Sequence, residues 1–156
     1  MLKVGSKINT EIILFDEDEQ PVSLGAFAGK YNVIYFYPRD NTPGCTVEAC
    51  SFRDFNHEIE NLGAKVIGIS KDDVKSHNKF ISKHKINFTL LSDPEHKLHE
   101  AFGVWAEKSF LGRKYFGAVR ATFVVNPEGK IIHVWEKVTP NNHAQEVYQF
   151  LEKNIK

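Results

Sequence analysis

The sequence has little cysteine, no surplus of charge of either sign and no long hydrophobic run. Its 156 residues include only two cysteines, too few for a secreted scaffold held together by disulfides. Basic and acidic residues number 20 each, so the net charge does not favour nucleic acid or a membrane surface as a partner. No segment is apolar enough for a signal peptide or a bilayer span. We therefore expect a cytoplasmic protein, where a cysteine pair is usually catalytic or redox-active.

Both cysteines lie in one block, which starts with the turn-forming stretch PRDNTPG at 38–44 and continues from Cys45 to Cys50. The apolar run at 31–37 predicts a buried strand before this block, and residues 46–62 predict a helix after it. Cys45 is therefore expected where a loop enters the first turn of a helix. Free backbone N–H groups and the helix dipole favour an anion there, which promotes the reactive thiolate. Cys45 is the candidate nucleophile.

Hydrophobic periodicity and turn residues predict alternating strands and helices along the chain. Strands are expected at 11–15, 31–37, 65–70, 88–91, 121–125 and 130–135, and helices at 46–62, after Asp72 or Asp73, from Pro94 to 102 and from about Asn142. The turn at 126–129 predicts a hairpin between the last two strands. This order predicts one α/β domain over residues 1–156, with a mixed central sheet and helices on both faces.

Residues 35–50 (YFYPRDNTPGCTVEAC) resemble the active-site block of a peroxiredoxin, and more narrowly of the Q-type, or bacterioferritin-comigratory, branch. Three further blocks match the same family in order: LSDPEHKL at 91–98, AFGVW at 101–105 and RATFVV at 120–125. The resemblance covers nearly the whole chain. It implies a thioredoxin-like fold, a thiol peroxidase activity that uses no metal, haem or flavin, and a monomer.

The resemblance also implies roles for residues around Cys45. In peroxide reduction the thiolate attacks one oxygen while the other leaves with negative charge, so donors aimed at that charge accelerate the reaction. Thr42 can offer its hydroxyl, and Gly44 can offer a backbone N–H, as can Cys45 itself. By resemblance, Arg120 lies beside them and supplies a permanently charged guanidinium. Pro38 is expected to shape the loop and to shield Cys45 from water.

Several of these residues also have a purely structural interpretation. Thr42 is compatible with a turn or helix-cap role, and Arg120 with a solvated or salt-bridged side chain. Glu48 fits a hydrogen-bond network near the site as well as an exposed position in the first turn of the helix. No histidines pair with the cysteines at a zinc-like spacing, so no metal site is predicted. The histidines, among them His77, His84, His96 and His99, are expected at the surface.

Cys50 has two interpretations. In the first it is a buried helix cysteine. In the second, which the Q-type resemblance favours, it is the resolving thiol that condenses with the sulfenic acid of Cys45. An ideal helix separates Cα atoms five residues apart by about 8.5–9 Å, whereas a disulfide requires less than about 7 Å. Disulfide formation within one helix therefore requires local unwinding.

Together with the resemblance, these residues predict a thiol peroxidase. Cys45 attacks hydrogen peroxide or an organic hydroperoxide, Cys50 closes an intramolecular disulfide, and a dithiol protein such as thioredoxin restores both thiols. One alternative is a thioredoxin-like disulfide exchanger, although four residues separate the cysteines rather than the two of a C-x-x-C motif. The other is a non-catalytic thioredoxin-fold interaction or holdase module, which would need neither threonine nor arginine near Cys45.

Overall fold

A computed structural model of the protein describes residues 1–155. The strands are β1 (Leu14–Phe15), β2 (Pro21–Val22), β3 (Tyr31–Phe36), β4 (Ala64–Ser70), β5 (Thr89–Ser92), β6 (Trp105–Phe110), β7 (Arg113–Ala118), β8 (Ala121–Val125) and β9 (Ile131–Trp135). The helices are α1 (Pro43–Asn61), α2 (Val74–His84), α3 (Lys97–Phe102) and α4 (His143–Asn154), with a short 3₁₀ turn at Leu24–Phe27. Within residues 1–155, no helix combines the length and the apolar character needed to cross a bilayer.

Seven strands form one mixed sheet in the order β2-β1-β5-β4-β3-β8-β9, and β6 and β7 form a separate hairpin. β3 lies near the centre, parallel to β4 and antiparallel to β8. Its residues from Asn32 to Phe36 are all buried, as expected for a strand covered on both faces. The carboxyl end of β3 leads through the loop 37–42 directly into α1, so the sheet places the first turn of α1 at its edge.

Successive residues of β3 point to opposite faces of the sheet, and each face has its own apolar core. Val33 and Tyr35 belong to the core that also contains Phe52 of α1 and Val147 of α4. On the other face, Ile34 and Phe36 pack with residues of α3 and of the amino-terminal segment, including Leu24, Leu98 and Phe102. The predicted mixed sheet with helices on both faces is confirmed, as is the β8–β9 hairpin.

Two helix starts differ from the prediction. α1 begins at Pro43 rather than at residue 46, because proline suits the first helical position and Thr42 takes the extended backbone of an N-cap. α3 begins at Lys97 rather than at Pro94. The buried carboxylate of Asp93 accepts hydrogen bonds from the amides of Leu98 and His99, so the cap acts five and six residues downstream and residues 94–96 form a turn.

The hairpin of β6 and β7 is absent from the prediction. Its strands are largely exposed and lack an alternating apolar pattern, and its tip places Leu111 and Gly112 at positive φ, where leucine is a rare residue. The expected strand at 11–15 is also shorter, because Asn9 accepts hydrogen bonds from the amides of Glu11 and Ile12 and forms a turn there.

The prediction of surface histidines is wrong for three of them: His77, His99 and His143 are fully buried. Each finds a polar partner that offsets the cost of removing an imidazole from water. Nδ1 of His77 lies 2.7 Å from the carboxylate of Asp40, and Nδ1 of His99 lies 2.7 Å from that of Asp93. These pairs explain why histidine is compatible with the core.

We predict that Asp93→Ala lowers the free energy of unfolding by about 3 kcal/mol, because two amides and a buried imidazole lose their shared acceptor. The matched control is Asp73→Ala, which removes an exposed N-cap acceptor of Ser76 in α2 and should cost only about 1 kcal/mol. Urea denaturation of both variants measures the two losses. Equal losses would contradict the role of Asp93 as a buried hub.

Candidate active site

The sulfur of Cys45 lies at the buried amino-terminal end of α1. Cys45 is the third residue of the helix and is 1% exposed. The amide of Thr46 makes the first intrahelical bond, to the carbonyl of Thr42, so the amides of Gly44 and Cys45 precede the helical ladder. The sequence placed Cys45 at a loop-to-helix junction, and the structure places it within the first turn, where the dipole and free N–H groups favour an anion.

Arg120 is the charged neighbour of this sulfur. Its Nη2 donates to Sγ of Cys45 at 3.2 Å, although 75 residues separate them in the sequence. The antiparallel pairing of β3 and β8 explains the contact, because Phe36 at the end of β3 lies opposite Ala121 at the start of β8. Arg120 directly precedes β8 and therefore lies beside the loop that follows β3. The sheet register brings the two groups together.

Gly44 leaves the space that this contact needs. A Cβ at this position would lie 3.3 Å from Nη2 of Arg120 and 3.7 Å from Cγ of Pro140. The first distance is tighter than ordinary van der Waals contact, so any larger residue would press on the guanidinium. Gly44 thus permits the close approach of Arg120 to the first turn of α1. It also contributes a free backbone amide at this turn.

Glu48 lies one turn after Cys45 on α1 and holds the other side of Arg120. Its side chain is fully buried, and its Oε1 accepts a hydrogen bond from Nη1 of Arg120 at 2.6 Å. Of the two interpretations of Glu48, the structure selects the hydrogen-bond network over the exposed first-turn position. The guanidinium is shared between a carboxylate and a sulfur, and it is 20% exposed.

Burial and charge act in opposite directions on this pair. Burial raises the pKa of Glu48 to about 7, and the attraction of Arg120 opposes that rise without cancelling it. For Arg120, burial alone would lower the pKa, but Glu48 and the sulfur of Cys45 outweigh burial and raise it. Arg120 therefore stays charged, whereas Glu48 can hold or release a proton near neutral pH.

Thr42 and Pro38 lie in the loop that precedes the helix. Thr42 occupies the N-cap position without a side-chain capping bond, and its hydroxyl donates to the carbonyl of Arg39 at 2.9 Å. That bond uses the hydroxyl proton, while the oxygen lone pairs remain available to accept. Pro38 is half-buried directly after the buried Tyr37. Thr42 therefore lies next to the first turn of α1, and Pro38 lies at the start of the loop that leads to it.

The same loop is anchored by Asp40, whose role the sequence analysis missed. Its buried carboxylate accepts hydrogen bonds from the hydroxyls of Tyr37 and Ser76, and it pairs with Nδ1 of His77. Its amide donates to the carboxylate of Asp72. Asp40, Asp72 and His77 lie close enough together to suggest a metal site, but donors already occupy both carboxylate oxygens of Asp40. The cluster fastens the loop to α2.

Tyr35 is a further buried group near the site that the sequence analysis missed. Burial, followed by the charges of Glu48 and Cys45, raises its pKa well above the ordinary value, so its hydroxyl keeps its proton. Within residues 1–155, neither this hydroxyl nor Oε2 of Glu48 has a hydrogen-bond partner. The sequence carries only a weak signal for this tyrosine, namely its position in β3 two residues before the loop. A strand that is apolar throughout gives no reason to single out one tyrosine.

Cys50 lies in the next turns of the same helix and is half-buried, and both cysteines are free thiols. Since α1 is continuous from Pro43 to Asn61, the two sulfurs sit on a helix that keeps the Cα atoms about 8.5–9 Å apart. The described site can therefore hold a thiolate at Cys45 and place donors around it. A bond between the two cysteines needs a change in α1.

The fold and this site define a class of protein. Residues 4–134 match the AhpC/TSA family, and the chain belongs to that family. Individual relatives point to a narrower branch of this family. The chain is 44% identical over 151 residues to peroxiredoxin Bcp of Bacillus subtilis, and the match covers 97% of this chain and 96% of the relative. These findings confirm the predicted Bcp, or Q-type, resemblance.

Two solved structures agree. Peroxiredoxin Q of Xanthomonas campestris is 38% identical with a TM-score of 0.89, covering 96% of this chain and 98% of the other. The bacterioferritin comigratory protein of the same organism, studied for its alkyl peroxide reduction activity, is 37% identical with a TM-score of 0.89 and the same coverage. The chain has the thioredoxin-like fold and is a peroxidase that reduces peroxides and is itself reduced by a partner. The alternatives of a disulfide exchanger and a non-catalytic module are thereby set aside.

We predict that Glu48→Gln changes the pH dependence of stability. The carboxyl pKa is about 7 in the folded protein and near 4.5 when unfolded, so the folded state binds this proton more tightly. Stability from this group is therefore present below about pH 4.5 and is lost as the pH rises to about 7. The glutamine variant lacks that loss, and its stability relative to wild type should improve by up to about 3 kcal/mol between pH 4.5 and pH 8.

Urea denaturation of the reduced protein across this pH range measures the difference. Glu58→Gln, at an exposed position of the same helix, is the control and should show a nearly constant difference from wild type. A constant difference for Glu48→Gln as well would mean that Glu48 keeps an ordinary pKa in the folded protein.

Proposed function

We propose that this chain is a thioredoxin-dependent peroxidase in which Cys45 is the peroxidatic cysteine and Cys50 the resolving cysteine. One observation carries the proposal: the guanidinium of Arg120 lies 3.2 Å from the buried sulfur of Cys45 at the amino-terminal end of α1. A cation and a helix amino terminus both favour the thiolate, which is the nucleophilic form of cysteine.

In the first step, the thiolate of Cys45 attacks one oxygen of the peroxide and the O–O bond breaks. The second oxygen leaves as hydroxide or alkoxide and takes up a proton to become water or an alcohol. Arg120 and the free amides of Gly44 and Cys45 are the donors for the negative charge that develops on this oxygen. Cys45 is left as a sulfenic acid.

Thr42 orients the peroxide in this scheme. Because its hydroxyl proton is directed to the carbonyl of Arg39, its oxygen can accept a hydrogen bond from the peroxide O–H. Pro38, half-buried after β3, shapes the loop and limits the access of water to Cys45. The exclusion of water strengthens the electrostatic interactions within the site.

In the second step, the thiolate of Cys50 attacks the sulfenic sulfur of Cys45, the S–O bond breaks and hydroxide leaves as water. The resulting intramolecular disulfide requires unwinding of the first turns of α1. A thioredoxin-like dithiol then reduces it by thiol–disulfide exchange. Because both cysteines belong to one chain, a monomer completes the cycle, and a cysteine pair that must return to its thiol form fits the reducing cytoplasm. The sheet and its two cores support one domain over residues 1–156.

The substrates follow from the same site. The alkyl peroxide reduction activity of the X. campestris bacterioferritin comigratory protein supports organic hydroperoxides as substrates here, next to hydrogen peroxide. The described residues around Cys45 contact only the reacting oxygens in this scheme, so both kinds of peroxide meet the same donors.

We predict that Cys45→Ser abolishes peroxidase activity and leaves the fold intact, because serine is nearly isosteric but stays protonated at neutral pH. The test is NADPH consumption with hydrogen peroxide, thioredoxin and thioredoxin reductase. Cys50→Ser is the matched variant and should lose thioredoxin-dependent turnover while still consuming about one equivalent of peroxide. Turnover by Cys45→Ser within a few-fold of wild type would refute the assignment.

We predict that Arg120→Lys slows the oxidation of Cys45 by at least about tenfold. Lysine keeps the charge but lacks the planar fork that here reaches Glu48 and Cys45 together. The loss of one donor of this kind commonly costs a factor of about 10²–10³. Stopped-flow fluorescence during peroxide addition gives the rate, and Arg113→Lys, at an exposed position of β7, is the control. An unchanged rate would make Arg120 a structural residue.

A further inference from the structure

Arg53 lies one turn after Cys50 on α1 and contacts its sulfur. Nη1 of Arg53 is 3.6 Å from Sγ of Cys50, within hydrogen-bond range for sulfur. The same nitrogen donates to the carbonyl of His84 at 2.6 Å, which a guanidinium nitrogen with two N–H groups can do. Cys50 thus has a cation beside it, as Cys45 has Arg120, and the proposed scheme so far gives that cation no role.

The rest of the guanidinium is held in place. Its Nε and Nη2 both face Oδ1 of Asp54 at 3.0 Å. The side chain is about one-third exposed, whereas that of Asp54 is about two-thirds exposed, so Asp54 is well solvated and only partly offsets the positive charge at Cys50. The Nη1 edge therefore points to the sulfur from a fixed orientation.

The backbone near Arg53 is anchored to the corner between α2 and β5, residues 84–87. The side chain of Asn87 donates to the carbonyl of Arg53 at 3.2 Å, and the side chain of Asn56 donates to the carbonyl of Asn87 at 3.0 Å. With the bond from Arg53 to His84, three hydrogen bonds tie this part of α1 to the corner. Among the described residues, the helical turns before Cys50 have no such ties to residues 84–87. Unwinding that starts at Cys45 has to break the Glu48–Arg120 pair and then reaches this anchored part of the helix at Arg53.

We propose that Arg53 is a catalytic residue of the resolution step, which supports the thiolate of Cys50 and holds the helix behind it while the turns in front unwind. This inference rests on the proposed role of Cys50 as the resolving thiol. In this step the Cys50 thiolate forms the S–S bond, the S–O bond of sulfenylated Cys45 breaks, and hydroxide leaves as water. The sulfur of Cys50 is oxidised and that of Cys45 is reduced.

The size of the effect follows from thiol chemistry. The thiolate is the form of Cys50 that attacks, and a guanidinium 3.6 Å from its sulfur attracts negative charge at that sulfur. Across thiols in general, a more basic thiolate is also a better nucleophile. With a Brønsted slope of about 0.4–0.5, each tenfold loss of the thiolate fraction is offset by about a threefold gain in nucleophilicity. Disulfide formation would then be about threefold slower for each such loss. At alkaline pH, where free thiols are ionised, the part of the deficit that comes from the lost cation should close.

The charged and titratable groups around Cys50 are few among residues 1–155. Arg53 contacts the sulfur, Asp54 faces Arg53, and the ring of His84 lies beside the same corner, with Nε2 at 3.3 Å from Oδ1 of Asn41. An effect of Asp54 or of the His84 ring would remain in a variant that changes only Arg53. The pH dependence of the difference between wild type and that variant therefore reports on Arg53.

The experiment compares Arg53→Met, Arg53→Lys and Asn87→Ala with wild type in the full-length reduced protein. One equivalent of hydrogen peroxide is added, and rapid quenching with an alkylating reagent followed by mass spectrometry gives the rates of sulfenic acid and disulfide formation from pH 6 to pH 10. Formation of the sulfenic acid at Cys45 is the internal reference, because its proposed donors are Arg120 and the amides of the first turn rather than Arg53. The sulfinic acid that forms at higher peroxide is measured as well.

We expect Arg53→Met to slow disulfide formation about threefold or more at neutral pH and to accumulate more sulfinic acid. At alkaline pH the deficit should shrink to the part that comes from the lost tie to His84. Arg53→Lys, which keeps the charge, should follow the pH profile of wild type more closely. Asn87→Ala removes a backbone tie without touching the cation, so it should change the rate by the same factor at every pH.

Two outcomes overturn the inference alone: a wild-type rate for Arg53→Met across the pH range, or a deficit that is independent of pH. Equal slowing of both steps also overturns it, since a general loss of structure gives that result. A different result would contradict the proposed function itself. If Cys50→Ser still turns over with thioredoxin and forms no more sulfinic acid than wild type, Cys50 is not the resolving thiol.

Discussion

The site depends on one guanidinium that is shared between a carboxylate and a sulfur. Arg120 is mostly buried, and a buried charge is stable only with partners, which Glu48 and Cys45 supply. Each partner in turn needs Arg120, because a buried carboxylate or thiolate without a cation is costly. The three groups therefore form a unit: the fold that buries them also places a guanidinium and the amino terminus of α1 beside the sulfur of Cys45.

Two different supports hold this unit. The loop before α1 is fixed by Asp40, whose buried carboxylate joins Tyr37, Ser76 and His77. The later part of α1 is fixed by Arg53 and its ties to the corner at 84–87. Between the two supports lie the turns that contain Cys45 and Cys50. In the proposed scheme, the first chemical step needs these turns folded so that their free amides can reach the reacting oxygen, and the second needs them unwound.

The same region carries costs that a purely structural core would avoid. The hydroxyl of Tyr35 and Oε2 of Glu48 are buried without partners, and each such atom typically costs about 1–3 kcal/mol. Burial also moves the pKa of Glu48 to about 7. These features cluster around Cys45, and the apolar cores on both faces of the sheet offset them. Local destabilisation near the first turns of α1 is compatible with the unwinding that the proposed Cys45–Cys50 disulfide requires.

The amino-acid sequence by itself determined the features that act over a few residues. The apolar run at β3, the turn at 126–129 and the starts of α2 and α4 were predicted within a residue or two, since backbone preferences are local. Only the tertiary structure decided which distant groups meet. The register of β3 against β8 pairs Arg120 with Cys45 and Glu48, and close packing places His77 and His99 beside buried carboxylates. The two partners of Arg120, Glu48 and Cys45, lie 72 and 75 positions away in the sequence. No local sequence pattern predicts contacts over such distances.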